Sequence, residues 1–407
     1  MKRKIVFVSV LLALCISGSA SGEEGVSESV VRFGSVLALK GKAKGLGVGM
    51  KMGLEAALAG ERIKGRTVEF VFENDFYEPS KAVAATERVI ERNVFLMIGN
   101  VGTPTAVKTL PILRRRNIPA VGFFTGAEIL RSGEGGPIVN YRASYVQETA
   151  AVIESAVEFG IAPRNICAYV QNDGYGMSGL AGIKMAMKRA NAPRNMLDAY
   201  DVIMEMSGDY PARNDIGPVG VYTRNSNNVG PGYGSLKNWE KRTGTLCKLV
   251  VTVGAYANIG HFVRNAKAKG EKWIVTGVSF TGADSFLRDL KKYKATERVV
   301  MTQVVPLLES NLPIVREAES KLGRHFGFVS LEGYIVGRMI LKILNDIPGE
   351  LTRDNLMKRV KVSKFDLGGL AIDFTKNGNQ GSDLVVLSYV TPSGYRAADK
   401  SIWDSML

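Results

Sequence analysis

One stretch of the chain indicates the fold most clearly: Val94-Phe-Leu-Met-Ile-Gly-Asn-Val-Gly-Thr103-Pro104-Thr105-Ala106. An apolar run of the length of a buried strand is followed by glycines and then by Thr-Pro-Thr. Thr is favoured as an N-cap and Pro at the first helical position, so we predict a helix that begins at Thr103 or Pro104. The free N–H groups of a helix start, the two hydroxyls and the helix dipole favour an anion. Because no nucleophile or general base lies nearby in the sequence, the stretch indicates binding of a small acid rather than its conversion.

Strand-like and helix-like segments alternate along the rest of the chain. Strands are predicted at 31–38, 67–72, 95–98, 119–124, 166–170, 246–253, 273–277 and 299–305. Helices are predicted at 47–59, 80–92, 103–115, 145–159, 179–190, 257–268 and 330–344, the last capped by Ser330. This alternation predicts an α/β fold with two doubly wound lobes and parallel sheets, whose ligands sit outside the carboxyl ends of the strands. In the segment 205–244 we predict irregular turns at 225–228 and 230–234, with an insertion as the alternative.

The first 20 residues have the pattern of a cleaved secretory signal peptide. A basic start, Lys2-Arg3-Lys4, precedes an apolar core over 5–16 and the small residues Gly18-Ser19-Ala20. The lipoprotein alternative would use Cys15, but Leu14 stands where a small residue is needed. No later segment is long and apolar enough to cross a bilayer, so we expect a periplasmic protein without membrane insertion of the mature chain.

The composition is that of a globular protein of two domains, with 407 residues of which 45% are hydrophobic. The net charge of +14 is scattered along helix faces, which disfavours a nucleic-acid partner. After the signal peptide only Cys167 and Cys247 remain, both in apolar strand-like runs. We expect two buried thiols, with a disulfide as the alternative that export permits. The isolated His261 and His325 indicate no metal site or triad, and no cofactor is expected.

Several motifs occur together and in order, and they resemble one known family. They are Leu39-Lys-Gly-Lys-Ala-Lys-Gly45, Asn74-Asp75-Phe-Tyr-Glu-Pro79, Gly99-Asn-Val-Gly-Thr-Pro-Thr105, Asn172-Asp173-Gly-Tyr175-Gly176 and Val329-Ser-Leu-Glu-Gly-Tyr334. The chain resembles the type I periplasmic binding proteins of the leucine/isoleucine/valine-binding family, the solute receptors of branched-chain amino-acid ABC transporters. The resemblance implies two lobes on a multi-strand hinge that close around a ligand. The N-terminal lobe would be 31–143 with 303–350, and the C-terminal lobe 144–302 with 351–397.

The resemblance also implies a ligand site between the lobes. The first lobe would hold a carboxylate with Thr103 and the loop Phe124, Thr125 and Gly126, and the second lobe would cover the ligand with Tyr175, Tyr256 and Ser279. From the residues alone, Thr103 could be only a helix cap, Thr125 and Gly126 only a turn, and Tyr256 only packing.

Ser279 is the departure from the family that bears on the ligand. The family's amino-acid receptors place an acid after the strand that matches 274–277, and a serine cannot compensate a desolvated ammonium. The nearest acid downstream is Asp284. We therefore expect a carboxylate or neutral polar ligand, with an aromatic one allowed by side chains such as Phe280, rather than an amino acid.

Three further charged residues have structural interpretations. Asp75 precedes Pro79 and is expected to form a turn. Arg142 lies where the chain crosses between lobes, so we expect a hinge contact, with a grip on the ligand as the alternative. Glu332 is expected to stabilise the start of its helix.

These observations together predict a non-enzymatic solute receptor that delivers its ligand to an ABC transporter permease. One alternative is a sensor that presents the ligand to a signalling receptor. An enzyme on the same scaffold is a second alternative, but the sequence shows no phosphate loop, nucleophile elbow or metal cluster.

Overall fold

The computed structural model describes residues 22–132, 136–208, 210–376 and 378–406, and the predicted signal peptide lies outside them. Two sheets with helices on their faces organise these residues, which confirms the predicted α/β class. We call the parts of the chain around these sheets the first lobe and the second lobe.

The first lobe contains the N-terminal elements. In chain order they are β1 (Val30–Leu37), α1 (Lys44–Leu58), β2 (Arg62–Ile63), β3 (Arg66–Asn74), α2 (Pro79–Ile90), β4 (Leu96–Ile98), α3 (Thr103–Arg115), β5 (Ala120–Val121) and β6 (Ile138–Val139). The sheet order is β2-β3-β1-β4-β5-β6, and β1, β3, β4, β5 and β6 pair in parallel. The carboxyl ends of these strands share one edge, so the segments after β4 and β5 meet there.

The second lobe repeats this arrangement with a new sheet. Its first elements are α4 (Tyr145–Glu158), β7 (Ile166–Gln171), α5 (Gly174–Arg189), α6 (Arg194–Glu205), β8 (Val219–Tyr222), α7 (Gly230–Thr243), β9 (Leu249–Val253), α8 (Tyr256–Ala268), β10 (Ile274–Gly277), α9 (Ala283–Lys292) and β11 (Val299–Gln303). Strands β8, β7, β9, β10 and β11 are neighbours in that order and run parallel.

The C-terminal part of the chain contributes to both lobes. It contains α10 (Pro313–Leu322), α11 (Phe328–Asn345), α12 (Arg353–Lys361), β12 (Lys364–Leu367), β13 (Leu370–Asp373), β14 (Val386–Thr391), β15 (Gly394–Ala397) and α13 (Lys400–Met406). Helix α11 packs against α1, where a Cβ on Gly53 would lie 2.2 Å from the Ser330 carbonyl oxygen. Within 351–397, which the sequence assigns to the second lobe, α12 packs against α11 while β14 and β15 extend the second sheet.

The segments that cross between the lobes are hydrogen-bonded to one another. The Asn140 N–H donates to the Asn379 carbonyl at 2.7 Å, and the Ser382 N–H donates to the Tyr141 carbonyl at 2.9 Å. The Tyr141 hydroxyl donates to the Val304 carbonyl at 2.9 Å. The three crossing segments, at 140–141, at Val304 and at 379–382, are therefore hydrogen-bonded into one hinge.

Two predicted local structures are wrong. The residues at 230–234 do not form a turn but begin α7, with Pro231 in its first turn, where proline is well tolerated. A Cβ on Gly220 would lie 2.2 Å from the Gly232 carbonyl oxygen, so these glycines serve the close packing of α7 on β8. Ser330 is not the N-cap of α11, which begins at Phe328; its hydroxyl accepts from the Gly327 N–H at 3.0 Å.

The expectation of two free thiols is also wrong, because Cys167 and Cys247 form a disulfide. Cys167 lies on β7, and Cys247 lies two residues before β9, which is the neighbour of β7 in the sheet. The Cα atoms are therefore 5.7 Å apart although the two residues are separated by 80 positions in sequence. Among the residues described, no helix is long and apolar enough to span a bilayer.

Candidate functional site

The start of α3 lies as predicted, and it meets the loop after β5. Thr103 is the first helical residue and follows Gly102, whose φ of 103° suits glycine. The Oγ1 atoms of Thr103 and Thr125 are 2.7 Å apart, and both side chains are buried. The Thr105 hydroxyl instead donates to the Val101 carbonyl at 2.6 Å, so it serves the helix. A pair of hydroxyls therefore lies at the positive end of the helix dipole.

Five buried aromatic side chains from both lobes pack beside this hydroxyl pair. We call them the aromatic cluster: Tyr77 and Phe124 from the first lobe, and Tyr145, Tyr175 and Phe280 from the second lobe. The Phe280 ring is central, with centroids 4.6 Å from Tyr175, 5.3 Å from Phe124 and 5.9 Å from Tyr77. Tyr145 and Tyr175 are 5.2 Å apart. Phe280 thus fills the space where the two lobes meet.

Ser279, which precedes Phe280, is bound to a carboxylate that the sequence did not indicate. The Ser279 N–H and hydroxyl donate to the two oxygens of Glu148 at 2.7 and 2.9 Å, and Thr302 donates to the same carboxylate at 2.5 Å. Arg142 Nη2 donates to the Ser279 Oγ. An acid is therefore present beside position 279 in space, but α4 supplies it and its oxygens already have donors.

Arg142 is fully buried between two carboxylates. Its guanidinium nitrogens lie 3.4 Å from Glu148 Oε1 and 3.6 Å from Glu332 Oε1, and its guanidinium carbon lies 4.8 Å from the Phe124 ring centroid. Burial alone would lower the pKa of Arg142, but the attraction of Glu332 and Glu148 raises it. Arg142 makes the expected hinge contact, and it also lies against the aromatic cluster.

The expectation that Glu332 stabilises the start of its helix is wrong, because α11 begins at Phe328 and Glu332 lies in its second turn, where it is fully buried. Burial raises the pKa of Glu332 to about 7, against the opposing attraction of Arg142. Asp284 from α9 takes the position at the helix start, where its carboxylate accepts from the N–H groups of Phe328 and Val329 at 3.1 and 3.3 Å. Asp284 thereby bridges the lobes.

Two predicted site residues lie beside the cluster rather than within it. A Cβ on Gly126 would lie 2.8 Å from the Tyr145 backbone nitrogen, so glycine permits this close approach. The Tyr256 hydroxyl accepts from the Gly45 N–H across the lobes at 3.2 Å. Burial raises the pKa of the Tyr256 phenol. Tyr256 therefore contacts the first turn of α1 from the other lobe.

The outer mouth of the cleft holds an ion pair between the lobes. Arg224 of the second lobe donates to Glu78 of the first lobe at 3.0 Å and to Asp173 at 2.9 Å. Asn225 donates to the other oxygen of Glu78 at 2.6 Å. Beside them lies a cavity of about 570 Å³, lined by residues that include Pro79, Pro104, Val107, Gly174, Arg213 and Arg224. The cleft is thus closed at its centre and open at its mouth.

The other polar residues considered from the sequence have local partners. Asp75 accepts from the Tyr77 N–H at 2.8 Å, which confirms the predicted turn, and burial raises its pKa to about 6. His261 lies 3.3 Å from the Tyr293 hydroxyl, and His325 lies beside Arg324. In the part of the chain that the structure describes, no group of three or more His, Cys, Asp or Glu side chains could hold a metal ion.

Comparisons with known proteins agree with this architecture. Residues 30–202 match the family model described as periplasmic binding protein. A solved structure from Rhodopirellula baltica SH 1, described as a possible leucine/isoleucine/valine-binding protein, is 32% identical with a TM-score of 0.81, over 95% of this chain and 100% of that chain. The chain belongs to the leucine/isoleucine/valine-binding family of type I periplasmic binding proteins. The resemblance predicted from the motifs is confirmed.

More distant periplasmic binding proteins share the fold. A leucine-binding protein from Thermotoga maritima is 15% identical with a TM-score of 0.71, over 90% of this chain and 97% of that chain. A solute-binding protein of an R. palustris ABC transporter, solved with 4-hydroxybenzoate, is 16% identical with a TM-score of 0.72, over 91% and 96% of the chains. A search of the curated proteins found no match.

In this periplasmic binding protein the fold brings five of the seven predicted site residues into one buried region: Thr103, Phe124, Thr125, Tyr175 and Ser279. Sequence reasoning missed Tyr77, Tyr145 and Glu148. Tyr77 had a local signal in the sequence, because it lies in the Asn74–Pro79 motif. In the structure its φ is 61°, which is unusual for a bulky residue. Glu148 had none, because it resembles any acid in the first turn of a helix.

Proposed function

We propose that this protein is an exported receptor that captures a small organic carboxylate between its lobes and delivers it to an ABC transporter permease. The observation that carries the proposal is the buried hydroxyl pair of Thr103 and Thr125 at the start of α3, facing an aromatic cluster drawn from both lobes. A helix start with hydroxyls offers donors to an acid, and rings offer an apolar surface to the rest of the molecule. No catalytic step is proposed.

The mechanism is closure about the hinge. Opening would separate Phe280 from Tyr77 and Phe124, because Phe280 belongs to the second lobe and the other two rings belong to the first. A ligand would then contact the first lobe, and closure would bring Tyr175 over it and restore contacts such as Arg224 with Glu78. The ligand stabilises the closed state only through contacts that are stronger in that state.

The contacts of Ser279 support the preference for an acid over an amino acid. A ligand ammonium would need a free carboxylate, yet both oxygens of the nearby Glu148 already accept hydrogen bonds. The Thermotoga maritima relative is described as binding leucine and the R. palustris relative as binding 4-hydroxybenzoate. We propose a ligand class closer to the second, an organic carboxylate with an apolar or aromatic body.

The proposed location is the periplasm, after removal of the signal peptide at 1–20. The disulfide between Cys167 and Cys247 supports this location, because such bonds persist in oxidising compartments.

A thermal-shift screen of the protein without its first 20 residues tests the proposal. The panel would contain amino acids, aliphatic acids and aromatic acids such as 4-hydroxybenzoate, and a ligand should raise the melting temperature by mass action. For a ligand that stabilises the protein, Thr103→Ala should raise the dissociation constant by about tenfold to a hundredfold, which is the effect of losing a hydrogen bond to a charged group.

Thr109→Ala is the matched control, because Thr109 is buried on the same helix and donates to the Thr105 carbonyl at 3.1 Å. It should change stability but leave affinity nearly unchanged. Equal losses of affinity in the two variants would remove Thr103 from the site, and stabilisation by leucine or valine alone would contradict the proposed ligand class.

A further inference from the structure

The guanidinium of Arg142 has more donors than the protein satisfies. Its Nη2 donates to Ser279, but Nε and Nη1 have no hydrogen-bond acceptor among the residues that the structure describes. The nearest carboxylate to Nη1 is that of Glu332, at an ion-pair distance of 3.6 Å. The Arg142 side chain is only 1% exposed, so bulk solvent does not reach it. Buried polar groups are almost always paired, so this deficit calls for an acceptor.

The nearby carboxylates do not remove this deficit. Glu148 is engaged by the Ser279 N–H and hydroxyl and by Thr302, and its oxygen lies 3.4 Å from Arg142. A second unpaired donor lies in the aromatic cluster, because the buried Tyr175 hydroxyl also has no acceptor within the described ranges. Both donors adjoin the cluster, since Arg142 lies over the Phe124 ring and Tyr175 packs on Phe280. The protein is therefore short of acceptors where we propose that the ligand binds.

The charges around Arg142 also favour an anion. The buried group consists of Arg142, Glu148 and Glu332, and the charge of Arg131 lowers the pKa of Glu332 against the effect of burial. Because burial raises the pKa of Glu332 to about 7, the two arginines face about one to two negative charges near neutral pH. An incoming carboxylate would meet a group that is neutral or positive.

We infer that Arg142 supplies the positive charge that recognises the ligand's acid group, which makes the ligand a carboxylate rather than a neutral polar molecule. This inference rests on the proposed function. Phe124, under the guanidinium, is the residue before Thr125, so the charge and the hydroxyl pair flank the same ring. The same ring contacts Phe280, so a flat apolar body would find its packing surface beside the charge.

Matched pairs of ligands test this role. Each carboxylate of the panel, such as benzoate or 4-hydroxybenzoate, is compared with its primary amide, which keeps the shape but removes the charge. The wild-type protein should prefer the carboxylate. In Arg142→Gln the ratio of carboxylate to amide affinity should fall by at least about thirtyfold, because a buried partner of the acid is lost. Arg142→Lys should retain part of the preference.

Two further variants keep the test interpretable if Arg142→Gln folds poorly. The double variant Arg142→Gln with Glu332→Gln removes one charge of each sign and is compared with Glu332→Gln alone. Arg353→Gln is the matched control, because Arg353 is also buried and its guanidinium already donates to the carbonyls of Phe95 and Val94. It should keep the wild-type affinity ratio.

The outcomes separate the inference from the proposed function. A ratio that falls in the Arg142 variants and stays constant in Arg353→Gln supports Arg142 as the charge that binds the acid. Tight carboxylate binding with an unchanged ratio in the Arg142 variants overturns the inference but leaves the receptor function standing. A wild-type protein that binds no carboxylate of the panel overturns both.

Discussion

Removal of the disulfide between Cys167 and Cys247 should strongly destabilise the second lobe. The bond joins β7 to the segment before β9, and these are the only two cysteines after the predicted signal peptide. The perturbation is the double variant Cys167→Ala with Cys247→Ala, or reduction of the wild-type protein. Alanine is chosen because the cysteines are 1% and 4% exposed, and a buried serine hydroxyl would add an unpaired donor.

The sequence separation of 80 residues sets the size of the effect. In the chain-entropy model, a cross-link that closes a loop of this length removes unfolded-state entropy worth about 4.5 kcal/mol at 25 °C. The observed loss for native disulfides is about 2–5 kcal/mol, so the expected decrease in the free energy of unfolding lies in this range. The truncation of two buried side chains adds a smaller loss, which the reduced wild-type protein does not share.

The assay is urea unfolding followed by far-UV circular dichroism, with and without a thiol reductant. Reductant should lower the unfolding midpoint of the wild-type protein and leave that of the alanine variant unchanged, which is the internal control. Titration of free thiols in denaturant should find none in the oxidised protein without its first 20 residues, which lacks Cys15. Two titratable thiols, or a midpoint that ignores the reductant, would refute the pairing and the reasoning built on it.

Two predictions concern the cleft. Phe280→Ala should favour the open form of the ligand-free protein, because it removes a fully buried ring that contacts both lobes. Phe→Ala changes in a protein core lower stability by about 3–5 kcal/mol. Small-angle scattering should show a larger radius of gyration, and an unchanged radius would contradict the role of Phe280 in closure. Glu332→Gln should reduce the pH dependence of stability. The pKa of Glu332 is about 7 in the folded protein against 4.5 for the free group, so the folded state holds the proton more tightly. The wild-type protein therefore loses stability as the pH rises from the lower of these pKa values to the higher. The variant should gain up to about 3 kcal/mol over the wild type at pH 8 and little at pH 4.5 in urea unfolding, and parallel pH profiles would exclude this role.

Local patterns were sufficient for most of the fold. The alternation of apolar strands with amphipathic helices predicted the two sheets, and the Thr-Pro-Thr start placed α3 at Thr103–Arg115 as observed. These predictions succeed because strand and helix periods, caps and prolines act over a few residues. The segment at 230–234 failed for the same local reason: its glycines and proline suggest a turn, but they serve helix α7 and its packing on β8.

The candidate site likewise has features that the local sequence predicts and contacts that only the tertiary structure creates. The local sequence alone was enough to place a hydroxyl at a helix start and aromatic residues after strands. It could not show that Glu148 meets Ser279, 131 residues away, that Cys167 meets Cys247, or that Phe280 fills the space between Phe124 and Tyr175. Those contacts depend on strand order and on how the lobes meet. The local sequence therefore determines the helix start at Thr103. The hydrogen-bonded Glu148 carboxylate, the unpaired Arg142 donors and the closed cleft depend on the tertiary structure. They arise only when distant segments pack together and exclude water.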